Sequence, residues 1–265
     1  MALDGLGEHA RREAETLVFS ALSIPRSRAI TDPDWPVPEV LALRVQQWAQ
    51  RRAAGEPLAY LTGEREFWSL PLRVGPGVLV PRPESELLVE AVLQHIENLP
   101  APVSVIDLGA GSGALSLAIA TEAPTTRVIA VEKSPEALFW LKKNVSVIAE
   151  NVRVVEGDVA DVLPGIKCDV VIANPPYVPD AQELPRDVAG FEPHIALFGG
   201  PTGMEIPQIF ITAASRLLKP GGVLVIEHTE DQGSAIATAL GVDFLEIALH
   251  DDLVGRPRWT SAVRR

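Results

Sequence analysis

From residue 101 onward, short apolar runs alternate with helical patterns, and this alternation constrains the fold more than any other feature of the chain. Apolar runs of five or six residues are typical of strands buried on both faces, and they lie at 103–108, 127–132, 152–156, 169–173 and 223–227. Helical patterns occupy 113–122, 135–148 and 202–218, and Pro220-Gly221-Gly222 is expected to close the last of them. Residues 242–263 leave room for two more strands. The alternation predicts an α/β fold with a doubly wound sheet, whose ligand binds at the carboxyl ends of the strands.

The first part of the chain has a different pattern, which predicts a small helical unit. Apolar side chains at helical spacing predict one helix at 8–24, which Pro25 ends, and a second from about 38 to 54, which Gly55 ends.

Residues 65–80 change character again, because two short extended segments flank the turn-forming sequence Gly75-Pro76-Gly77. This pattern predicts a β-hairpin. A helix at 85–97 follows. We therefore predict two domains: residues 1–80 form a helical domain with a hairpin linker, and residues 81–265 form the sheet domain.

The composition excludes several classes of protein. At 47% hydrophobic and 22% charged residues, the chain is typical of globular proteins rather than disordered ones. It has no apolar run of about 18 residues, so no transmembrane helix and no membrane partner are predicted, and its charged N-terminus does not resemble a signal peptide. Cys168 is the only cysteine, which excludes an internal disulfide and a cysteine-based zinc site. A chain without disulfides suits the reducing cytoplasm, where we expect this protein. The five histidines show no metal-ligand spacing, so we expect no metal.

The charge is strongly acidic and unevenly distributed. The formal net charge is −12; residues 1–80 hold 9 basic and 10 acidic side chains, whereas residues 81–265 hold 14 and 25. Such a surface repels phosphate backbones. We therefore expect no direct nucleic-acid partner, and a basic protein or a small molecule is easier to accommodate.

A glycine-rich segment, Asp107-Leu108-Gly109-Ala110-Gly111-Ser112-Gly113, follows the first strand of this region and opens a helix. Glycine permits a tight turn and a close approach of the backbone to a ligand. Glu132 ends the next strand, 19 residues after Gly113, where a carboxylate can accept hydrogen bonds from both hydroxyls of a ribose. The alternative is a tight strand–helix turn with a solvated carboxylate. The two strand ends together favour a nucleoside site, although the spacing GxGxG differs from the GxGxxG of dinucleotide-binding proteins.

A second motif, Asn174-Pro175-Pro176-Tyr177, comes directly after the strand at 169–173. The prolines lack N–H groups and stiffen the backbone, so the carbonyls before them stay free to accept hydrogen bonds. The side-chain oxygen of Asn174 is a further acceptor, and Tyr177 offers a flat face to a planar group. Converging acceptors suit an NH2 group, either a carboxamide or an exocyclic amine. The alternative is a strand-ending Pro-Pro turn with a core tyrosine.

In their order and spacing, DLGAGSG, Glu132 and NPPY resemble the class I S-adenosylmethionine-dependent amino-methyltransferases. Within them, the chain resembles the HemK/PrmC-type protein-(glutamine-N5) methyltransferases. The segments that carry this closer resemblance are EFWSLPLRVGPGVLVPRPESELLVE at 66–90, Phe191-Glu192-Pro193, and GRPRWTSAVR at 255–264. NPPY alone would be shared with enzymes that methylate adenine in DNA.

The resemblance implies a Rossmann-like, seven-stranded class I methyltransferase domain and a small N-terminal helical domain for substrate recognition, joined by a β-hairpin. It implies transfer of a methyl group from S-adenosylmethionine, which becomes S-adenosylhomocysteine. The acceptor would be the side-chain nitrogen N5 of the glutamine in the Gly-Gly-Gln motif of class 1 peptide chain release factors, a modification that modulates translation termination. The enzyme is expected to be a monomer.

The resemblance also assigns roles to individual residues. The methionine part of the cofactor would lie along Gly109, Ala110, Gly111, Ser112 and Gly113. Glu132 would hold the ribose, Asp158 and Val159 would flank the adenine, and Asn174 would border the cofactor as well. The family often has an aromatic residue at the position of Val159. Asn174, Pro175, Pro176 and Tyr177 would bind the glutamine and form the catalytic set, and Arg82 and Glu84 would lie near the site.

The chemistry of the acceptor motif suggests a mechanism. An amide nitrogen is a poor nucleophile because its lone pair is delocalised, and no side chain is an obvious strong base. Asn174 and the Pro175 carbonyl can accept both amide hydrogens and aim the nitrogen at the methyl group, so proximity and alignment supply much of the rate. The same acceptors stabilise positive charge that develops on the nitrogen.

Two other functions fit parts of the sequence. One is an amino-methyltransferase that acts on adenine or guanine in DNA or RNA, which should carry a basic surface that this chain lacks. The other is a non-catalytic nucleotide-binding module, against which GxGxG and NPPY both weigh.

Several further residues are expected to be structural. His228 follows the strand at 223–227, His194 is expected in an exposed loop, and Cys168 precedes a buried strand. Phe67 is expected in the core. The long segment 178–200 carries several acidic side chains and could contact a substrate protein, or it could simply be a solvated loop.

Overall fold

A computed structural model describes residues 7–25, 27–32 and 34–265. The helices in chain order are α1 (Gly7–Leu22), α2 (Arg28–Thr31), α3 (Glu39–Ala53), α4 (Leu58–Thr62), α5 (Glu86–Ile96), α6 (Ala114–Glu122), α7 (Pro135–Ile148), α8 (Arg186–Ala189), α9 (His194–Leu197), α10 (Glu205–Leu217) and α11 (Gly233–Leu240). The strands are β1 (Glu64–Phe67), β2 (Leu70–Arg73), β3 (Ser104–Leu108), β4 (Arg127–Glu132), β5 (Arg153–Glu156), β6 (Cys168–Ala173), β7 (Val178–Pro179), β8 (Phe198–Gly200), β9 (Leu218–Glu227), β10 (Phe244–Asp251) and β11 (Pro257–Arg264). A single 3₁₀ turn, Pro83–Ser85, precedes α5. Residues 1–6, on which the signal-peptide argument partly rests, lie outside the described residues.

The chain divides into two compact units. Unit 1 comprises Met1–Glu64 and Leu184–Phe191, and unit 2 comprises Arg65–Glu183 and Glu192–Arg265. By contacts the division falls between Glu64 and Arg65, inside β1, and Phe67 of the same strand belongs to the hydrophobic core of the large sheet. The assignment of residues 1–80 as a substrate-recognition domain stays a prediction.

Unit 1 is helical, and α1 and α3 confirm the two helices that the apolar spacing predicts. Helix α1 buries Leu17, Ala21 and Leu22. An ion pair between Arg52 on α3 and Glu13 on α1, with 2.6 Å between Nε and Oε1, links the two helices. The unit therefore combines a small apolar core with a salt bridge across its two longest helices.

Unit 2 contains a seven-stranded sheet in the order β10-β11-β9-β6-β3-β4-β5. Strands β5, β4, β3, β6 and β9 are parallel, and β11 is antiparallel to both β9 and β10. The five predicted parallel strands and the two predicted C-terminal strands are thus confirmed. The chain leaves β3 toward β4 on one side, and β6 lies on the other side, so the strand order reverses at β3. In such sheets the crevice at this reversal, outside the carboxyl ends of the strands, is where ligands bind.

Helices cover both faces of the sheet. Neighbouring residues of a strand point to opposite faces, and Val105 and Ile106 of β3 accordingly belong to two different core clusters. The first cluster includes buried side chains of α5, α6 and α7, and the second includes those of α10 and α11. Each fully buried leucine, such as Leu117 or Leu217, contributes roughly 1.5–3 kcal/mol to folding.

The hairpin forms at a different place from the one predicted. Strands β1 and β2 pair across Trp68 and Ser69, whose φ angles are 53° and 58°. Positive φ at both central residues defines the type I′ turn, which matches the twist of a two-residue hairpin. The Trp68 N–H donates to Glu86 Oε1 at 2.8 Å, which ties the turn to α5. The prediction that the two hairpin strands flank Gly75-Pro76-Gly77 was therefore wrong. A turn does form there, with the Val78 N–H donating to the Gly75 carbonyl at 3.3 Å, but the described strands pair at Trp68 and Ser69 instead.

Gly75-Pro76-Gly77 instead packs against α7. A Cβ on Gly75 would overlap the Trp140 ring, and one on Gly77 would overlap Glu136. Trp140 Nε1 donates to the Pro76 carbonyl at 3.2 Å. These glycines permit a close approach between the loop and the helix.

Pro220-Gly221-Gly222 does not close a helix either. Helix α10 ends at Leu217, and the Pro-Gly-Gly segment lies inside β9. The pairing with β6 passes from Leu218 opposite Cys168 directly to Val223 opposite Val170, so the segment forms a bulge. Proline lacks an N–H donor for the hydrogen bonds between strands, which favours such a bulge.

Within the described part of the chain, no helix is long and apolar enough to cross a membrane.

Candidate active site

A cavity of about 230 Å³ lies at the carboxyl edge of the sheet within unit 2, far larger than the roughly 10–15 Å³ that one water needs. Its walls come from the segments after β3, β4, β5 and β6, from residues 77–85 and from α10. The predicted site residues that line it are Gly109, Ala110, Gly111, Ser112, Glu132, Asp158, Val159, Asn174 and Pro176. Gly113, Pro175 and Tyr177 are not among the described residues that line it. The cavity is sized for a small molecule.

The glycine-rich turn and Glu132 form one hydrogen-bonded unit. Strands β3 and β4 pair in parallel, so their ends meet at the same edge. Gly111, with φ 56°, donates its N–H to Glu132 Oε2 at 2.8 Å, and the N–H groups of Lys133 and Ser134 donate to Oε1, each at 2.8 Å. The side chain is only 8% exposed. Three backbone donors hold the carboxylate at the cavity wall, with acceptor capacity left for a ligand hydroxyl.

Asp107 lies beneath this turn and is fully buried. The N–H and the hydroxyl of Ser116 both donate to its Oδ2. Its Oδ1 has no hydrogen-bond partner among the described residues. Burial raises the pKa of Asp107 to about 7, against the lowering effect of the Ser116 donors.

Asp158 and Val159 follow β5 at the next edge position. Asp158 Oδ1 accepts from the Ala160 N–H at 3.0 Å, and Oδ2 accepts from Lys133 Nζ at 3.2 Å. The Ala160 N–H bond, together with Lys133, lowers the pKa of Asp158. Val159 is buried, and the Phe210 ring of α10 also lines the cavity. The aromatic ring often found in the family at the position of Val159 is therefore absent there, while α10 supplies one to the same cavity.

Asn174 is half-buried at the end of β6 and faces the cavity. Its Nδ2 donates to Ser85 Oγ at 3.1 Å. Its Oδ1 has no donor among the described residues and keeps some accessible surface, so Oδ1 is the free end of a side chain that lines the cavity. The amide therefore presents an acceptor to the cavity and keeps its donor for the protein.

Glu227, at the end of β9, connects both ends of the NPPY motif. Ser85 Oγ donates to its Oε2 at 2.5 Å, and the Tyr177 hydroxyl donates to its Oε1 at 3.1 Å. The carboxyl group is 1% exposed. Burial raises the pKa of Glu227, although the two hydroxyl donors and the charge of Arg258 oppose this. Burial, followed by the nearby Glu227 charge, raises the pKa of Tyr177, so this phenol stays protonated around neutrality.

Arg82 also lines the cavity, and it pairs with a buried partner. Arg82 Nη2 lies 2.6 Å from Glu192 Oε1, and Glu192 Oε2 accepts from the Val80 N–H at 3.0 Å. Glu192 is 5% exposed, so this acidic residue of the segment 178–200 is not simply solvated. Glu84 is exposed and does not line the cavity.

The sequence reasoning missed three residues of this site: Ser85, Phe210 and Glu227. Glu227 could have been found, because it ends a parallel strand and so reaches the same edge as Glu132 and Asn174. Phe210 lies within a helical apolar pattern and carried no separate signal.

Two family profiles match the chain. The profile described as "PrmC N-terminal domain" matches residues 3–63, and the one described as "Methyltransferase small domain" matches residues 83–189. Among known proteins, release factor glutamine methyltransferases are similar over almost the whole chain. The one from Moorella thermoacetica is 41% identical over 97% of this chain and 93% of its own length. The one from Mycolicibacterium smegmatis is 40% identical over 96% of this chain and 90% of its own length.

The chain belongs to the release factor glutamine methyltransferase family. This confirms the resemblance carried by the DLGAGSG, NPPY and 66–90 segments. The protein from Salmonella typhimurium, of the same family, is 40% identical over 85% of this chain and 82% of its own length.

Solved structures agree on the fold. A methyltransferase from Pyrococcus furiosus superposes with a TM-score of 0.56 at 18% identity, covering 83% of this chain and 98% of its own. A predicted O-methyltransferase from Agrobacterium tumefaciens gives 0.51 at 20% identity over 68% of this chain and 80% of its own. At these identities the likeness shows the fold alone, and it confirms the Rossmann-like sheet domain. The two family profiles confirm the methyltransferase domain and the N-terminal helical domain.

The histidines and the cysteine outside the cavity have structural surroundings. His228 is fully buried, and its Nε2 lies 2.8 Å from Thr260 Oγ1. His194 is exposed, as expected, but begins α9 and stacks on Phe198. Burial raises the pKa of the Cys168 thiol to about 12, so it packs as a neutral group. The described residues hold no group of three metal-ligating side chains; the side chain of His9 lies outside them.

Proposed function

We propose that this chain transfers a methyl group from S-adenosylmethionine to the side-chain nitrogen N5 of the glutamine in the Gly-Gly-Gln motif of class 1 peptide chain release factors, and so modulates translation termination. Membership of the release factor glutamine methyltransferase family supports the reaction. The observation that carries the chemistry is the Asn174 side chain, which turns an acceptor oxygen toward the cavity. An acceptor there suits the NH2 group of a carboxamide.

S-adenosylmethionine is the methyl donor: it supplies an electrophilic methyl group on a sulfonium and leaves as S-adenosylhomocysteine. The residues that line the cavity fit such a nucleoside. Glu132, held by three N–H donors, accepts the ribose hydroxyls. Asp158, Val159 and Phe210 line the same cavity, and Asp158 and Val159 would flank the adenine. The segment from Gly109 to Gly113 borders the methionine part, and Asn174 borders both cofactor and substrate.

The acceptor motif orients the glutamine amide. Asn174 Oδ1 and the Pro175 carbonyl accept the two hydrogens of the amide nitrogen, while Pro176 and Tyr177 complete the motif. This holds the nitrogen in line with the methyl group, and orientation of this kind replaces an unlikely collision by an intramolecular one. The same two oxygens stabilise positive charge as the nitrogen–carbon bond forms, and one amide proton then leaves to solvent.

The proposal extends to partners and location. The protein partner is a class 1 release factor, and the enzyme acts as a monomer in the cytoplasm without contacting nucleic acid or a membrane. The net charge of −12 supports a protein partner rather than a phosphate backbone.

A labelling experiment tests the reaction. The protein is incubated with methyl-labelled S-adenosylmethionine and either a class 1 release factor, the variant of that factor with alanine in place of the Gly-Gly-Gln glutamine, or nucleic acid. We expect label on the intact release factor alone. Label on DNA or RNA would instead identify an adenine or guanine amino-methyltransferase, and cofactor binding without transfer would identify a binding module.

Replacing the proposed acceptor tests the mechanism. In Asn174→Ala we expect release-factor methylation to fall at least about 100-fold, because the amide loses one of its two orienting acceptors. Binding of S-adenosylmethionine, measured by calorimetry, should largely survive. Asn98→Ala is a matched control, because Asn98 is exposed and bonds only to the Gln94 carbonyl. Undiminished turnover of Asn174→Ala would contradict the mechanism.

A further inference from the structure

We propose that Glu227 and Ser85 are positioning residues for this reaction: through an ordered chain of hydrogen bonds they set which way the Asn174 side-chain amide faces. The inference rests on the proposed function and concerns residues that do not touch the methyl group. The inference follows from which atoms of this row of hydrogen bonds donate and which accept, because each bond in it has a defined direction.

The direction starts at Glu227. A carboxylate can only accept hydrogen bonds, so the short contact of 2.5 Å between Ser85 Oγ and Glu227 Oε2 uses the single hydroxyl hydrogen of Ser85. Ser85 Oγ can then only accept from its other neighbour, Asn174, at 3.1 Å. Only the NH2 group of an asparagine amide can donate. The chain therefore turns Nδ2 toward Ser85 and Oδ1 toward the cavity.

This direction matters because the two ends of an asparagine amide have nearly the same shape. A flipped Asn174 would fill the same space but would present its NH2 group to the NH2 group of the substrate glutamine. Two donors facing each other cannot form a hydrogen bond, so the flipped form would not orient the nitrogen. The Glu227–Ser85 relay favours the productive orientation before the substrate arrives, which is preorganisation in the electrostatic sense.

Glu227 holds the far end of the same motif as well. Its Oε1 accepts from the Tyr177 hydroxyl at 3.1 Å, and Gln232 Nε2 donates to the Tyr177 carbonyl at 2.9 Å. One buried carboxylate is thus connected to the first residue of NPPY through Ser85 and to the last residue directly. Strands β6 and β9 pair side by side up to Ala173 and Ile226, so the next residues, Asn174 and Glu227, lie at the same carboxyl edge of the sheet.

A buried carboxylate is costly unless it is hydrogen-bonded. Glu227 is 1% exposed and has no ion pair among the described residues, yet both its oxygens accept hydroxyl hydrogens. An apolar side chain at this strand end would satisfy packing alone. The need for an acceptor that fixes the direction of the Ser85 hydrogen bond explains why a carboxylate stands at position 227.

The decisive variants remove or restore the Ser85 hydroxyl. In Ser85→Ala, with wild-type protein and release factor assayed in parallel, we expect kcat to fall about 10- to 100-fold, because Asn174 loses its directional constraint. The dissociation constant of S-adenosylmethionine should change little, whereas the Tm should fall, because the buried Glu227 Oε2 loses its donor. Ser85→Thr keeps the hydroxyl and should recover most of the activity. Ser146→Ala removes an exposed hydroxyl on α7 and is the matched control, with unchanged kcat.

Glu227→Gln provides a second variant in case the threonine methyl group is not accommodated. A glutamine amide has one acceptor oxygen for two hydroxyl donors, and its NH2 group can donate to Ser85, so the direction of the relay is lost. We expect a loss of kcat similar to that of Ser85→Ala.

The pH profile of kcat separates positioning from a merely structural role. Four groups face Glu227: the hydroxyls of Ser85 and Tyr177, the charge of Arg258, and Glu84. Protonation of Glu227 would make it a donor and reverse the relay, so activity falls on the acid side. The relay passes through the Ser85 hydroxyl, so titration of Glu227 should no longer affect kcat in Ser85→Ala, and the acid limb should be lost in that variant.

The outcomes distinguish the two levels of inference. An active wild-type enzyme beside an equally active Ser85→Ala, with the same acid limb, overturns the positioning role alone. A wild-type enzyme that leaves the release factor unlabelled overturns the proposed function and this inference with it. Loss of kcat at constant cofactor affinity, with recovery in Ser85→Thr or the same loss in Glu227→Gln, establishes the relay.

Discussion

Two buried carboxyl groups, Asp107 and Glu227, lie near the same edge of the sheet and have different surroundings. Each oxygen of Glu227 accepts a hydroxyl hydrogen. In Asp107, Ser116 supplies both donors to Oδ2, and Oδ1 has no partner among the described residues. Burial raises the pKa of both groups, and that of Asp107 reaches about 7. An aspartate in this state holds its proton into the neutral range, where an exposed aspartate would have lost it.

This raised pKa predicts that Asp107 lowers the free energy of unfolding as the pH rises. Its pKa is about 7 in the folded protein and about 3.9 in an unfolded chain, so the folded state binds the proton more tightly. Stability from this group is therefore present below about pH 4 and is lost as the pH rises toward 7. Asp107→Asn has no carboxyl group to titrate, so its free energy of unfolding relative to wild type should increase by roughly 2.5 kcal/mol between pH 5 and pH 8.

Urea unfolding of both proteins at the two pH values measures the effect. Asp161→Asn removes an exposed carboxylate and controls for the change in net charge. The same stability difference between Asp107→Asn and wild type at both pH values would show that Asp107 is not the titrating group.

At the scale of elements, the contact between the 75–77 loop and α7 shows how a turn-like sequence is used for packing. Gly75 leaves room for the Trp140 ring, and Trp140 Nε1 donates to the Pro76 carbonyl. The loop leads directly into residues 77–82, several of which line the cavity. Helix α7 begins just after Glu132, Lys133 and Ser134, so this contact joins two walls of the cofactor site.

Gly75→Ala should therefore destabilise the protein by about 1–3 kcal/mol, because its Cβ would overlap the indole ring. Thermal unfolding measures the change. Gly241→Ala is the matched control: Gly241 has φ −54°, and its Cβ would meet only atoms at ordinary contact distance, so its effect should stay within about 0.5 kcal/mol.

A second background shows whether Gly75→Ala destabilises the protein through overlap with the Trp140 ring or through a general effect of the added methyl group. In a Trp140→Ala background the ring is gone, and Gly75→Ala should then cost less than it does in the wild type. Equal costs in the two backgrounds would mean that the ring is not what Gly75 accommodates.

At the scale of the whole molecule, the acidic charge is concentrated in residues 81–265, with 14 basic and 25 acidic side chains, while residues 1–80 are nearly neutral. The cavity lies in the acidic part. A basic surface around the Gly-Gly-Gln loop of a release factor, which binds in an RNA environment, would complement this charge. Complementary charges raise the rate of encounter and set the orientation of docking.

This complementarity predicts that salt weakens the recognition of the substrate. Between about 50 mM and 500 mM salt, the KM for the release factor should rise several-fold, because the screening length shortens below about 10 Å. The rate of a single turnover at saturating release factor should change much less, because salt screens the encounter of separated charges and not the short hydrogen bonds that orient the amide. A KM that is independent of salt would contradict docking by charge.

The sequence by itself determined the alternation of strands and helices and the position of the two motifs. Apolar periodicity, glycine and proline act over a few residues, so the parallel strands, the two C-terminal strands and the strand ends at Glu132 and Asn174 could be read from local pattern. Because parallel strands end at one edge, those two side chains could also be expected at the same site. Their roles toward cofactor and glutamine stay predictions.

Only the tertiary structure decided where the hairpin turns, which residues flank the motifs and which way the Asn174 amide faces. The turn at Trp68 and Ser69 depends on a bond from Trp68 to Glu86. Arg82 and Glu192 are 110 residues apart in the chain, and Ser85 and Glu227 are 142 apart. No local periodicity encodes such pairs, because they meet only after the sheet has formed. The direction of a hydrogen bond depends on what each atom touches, and that is set by the folded chain.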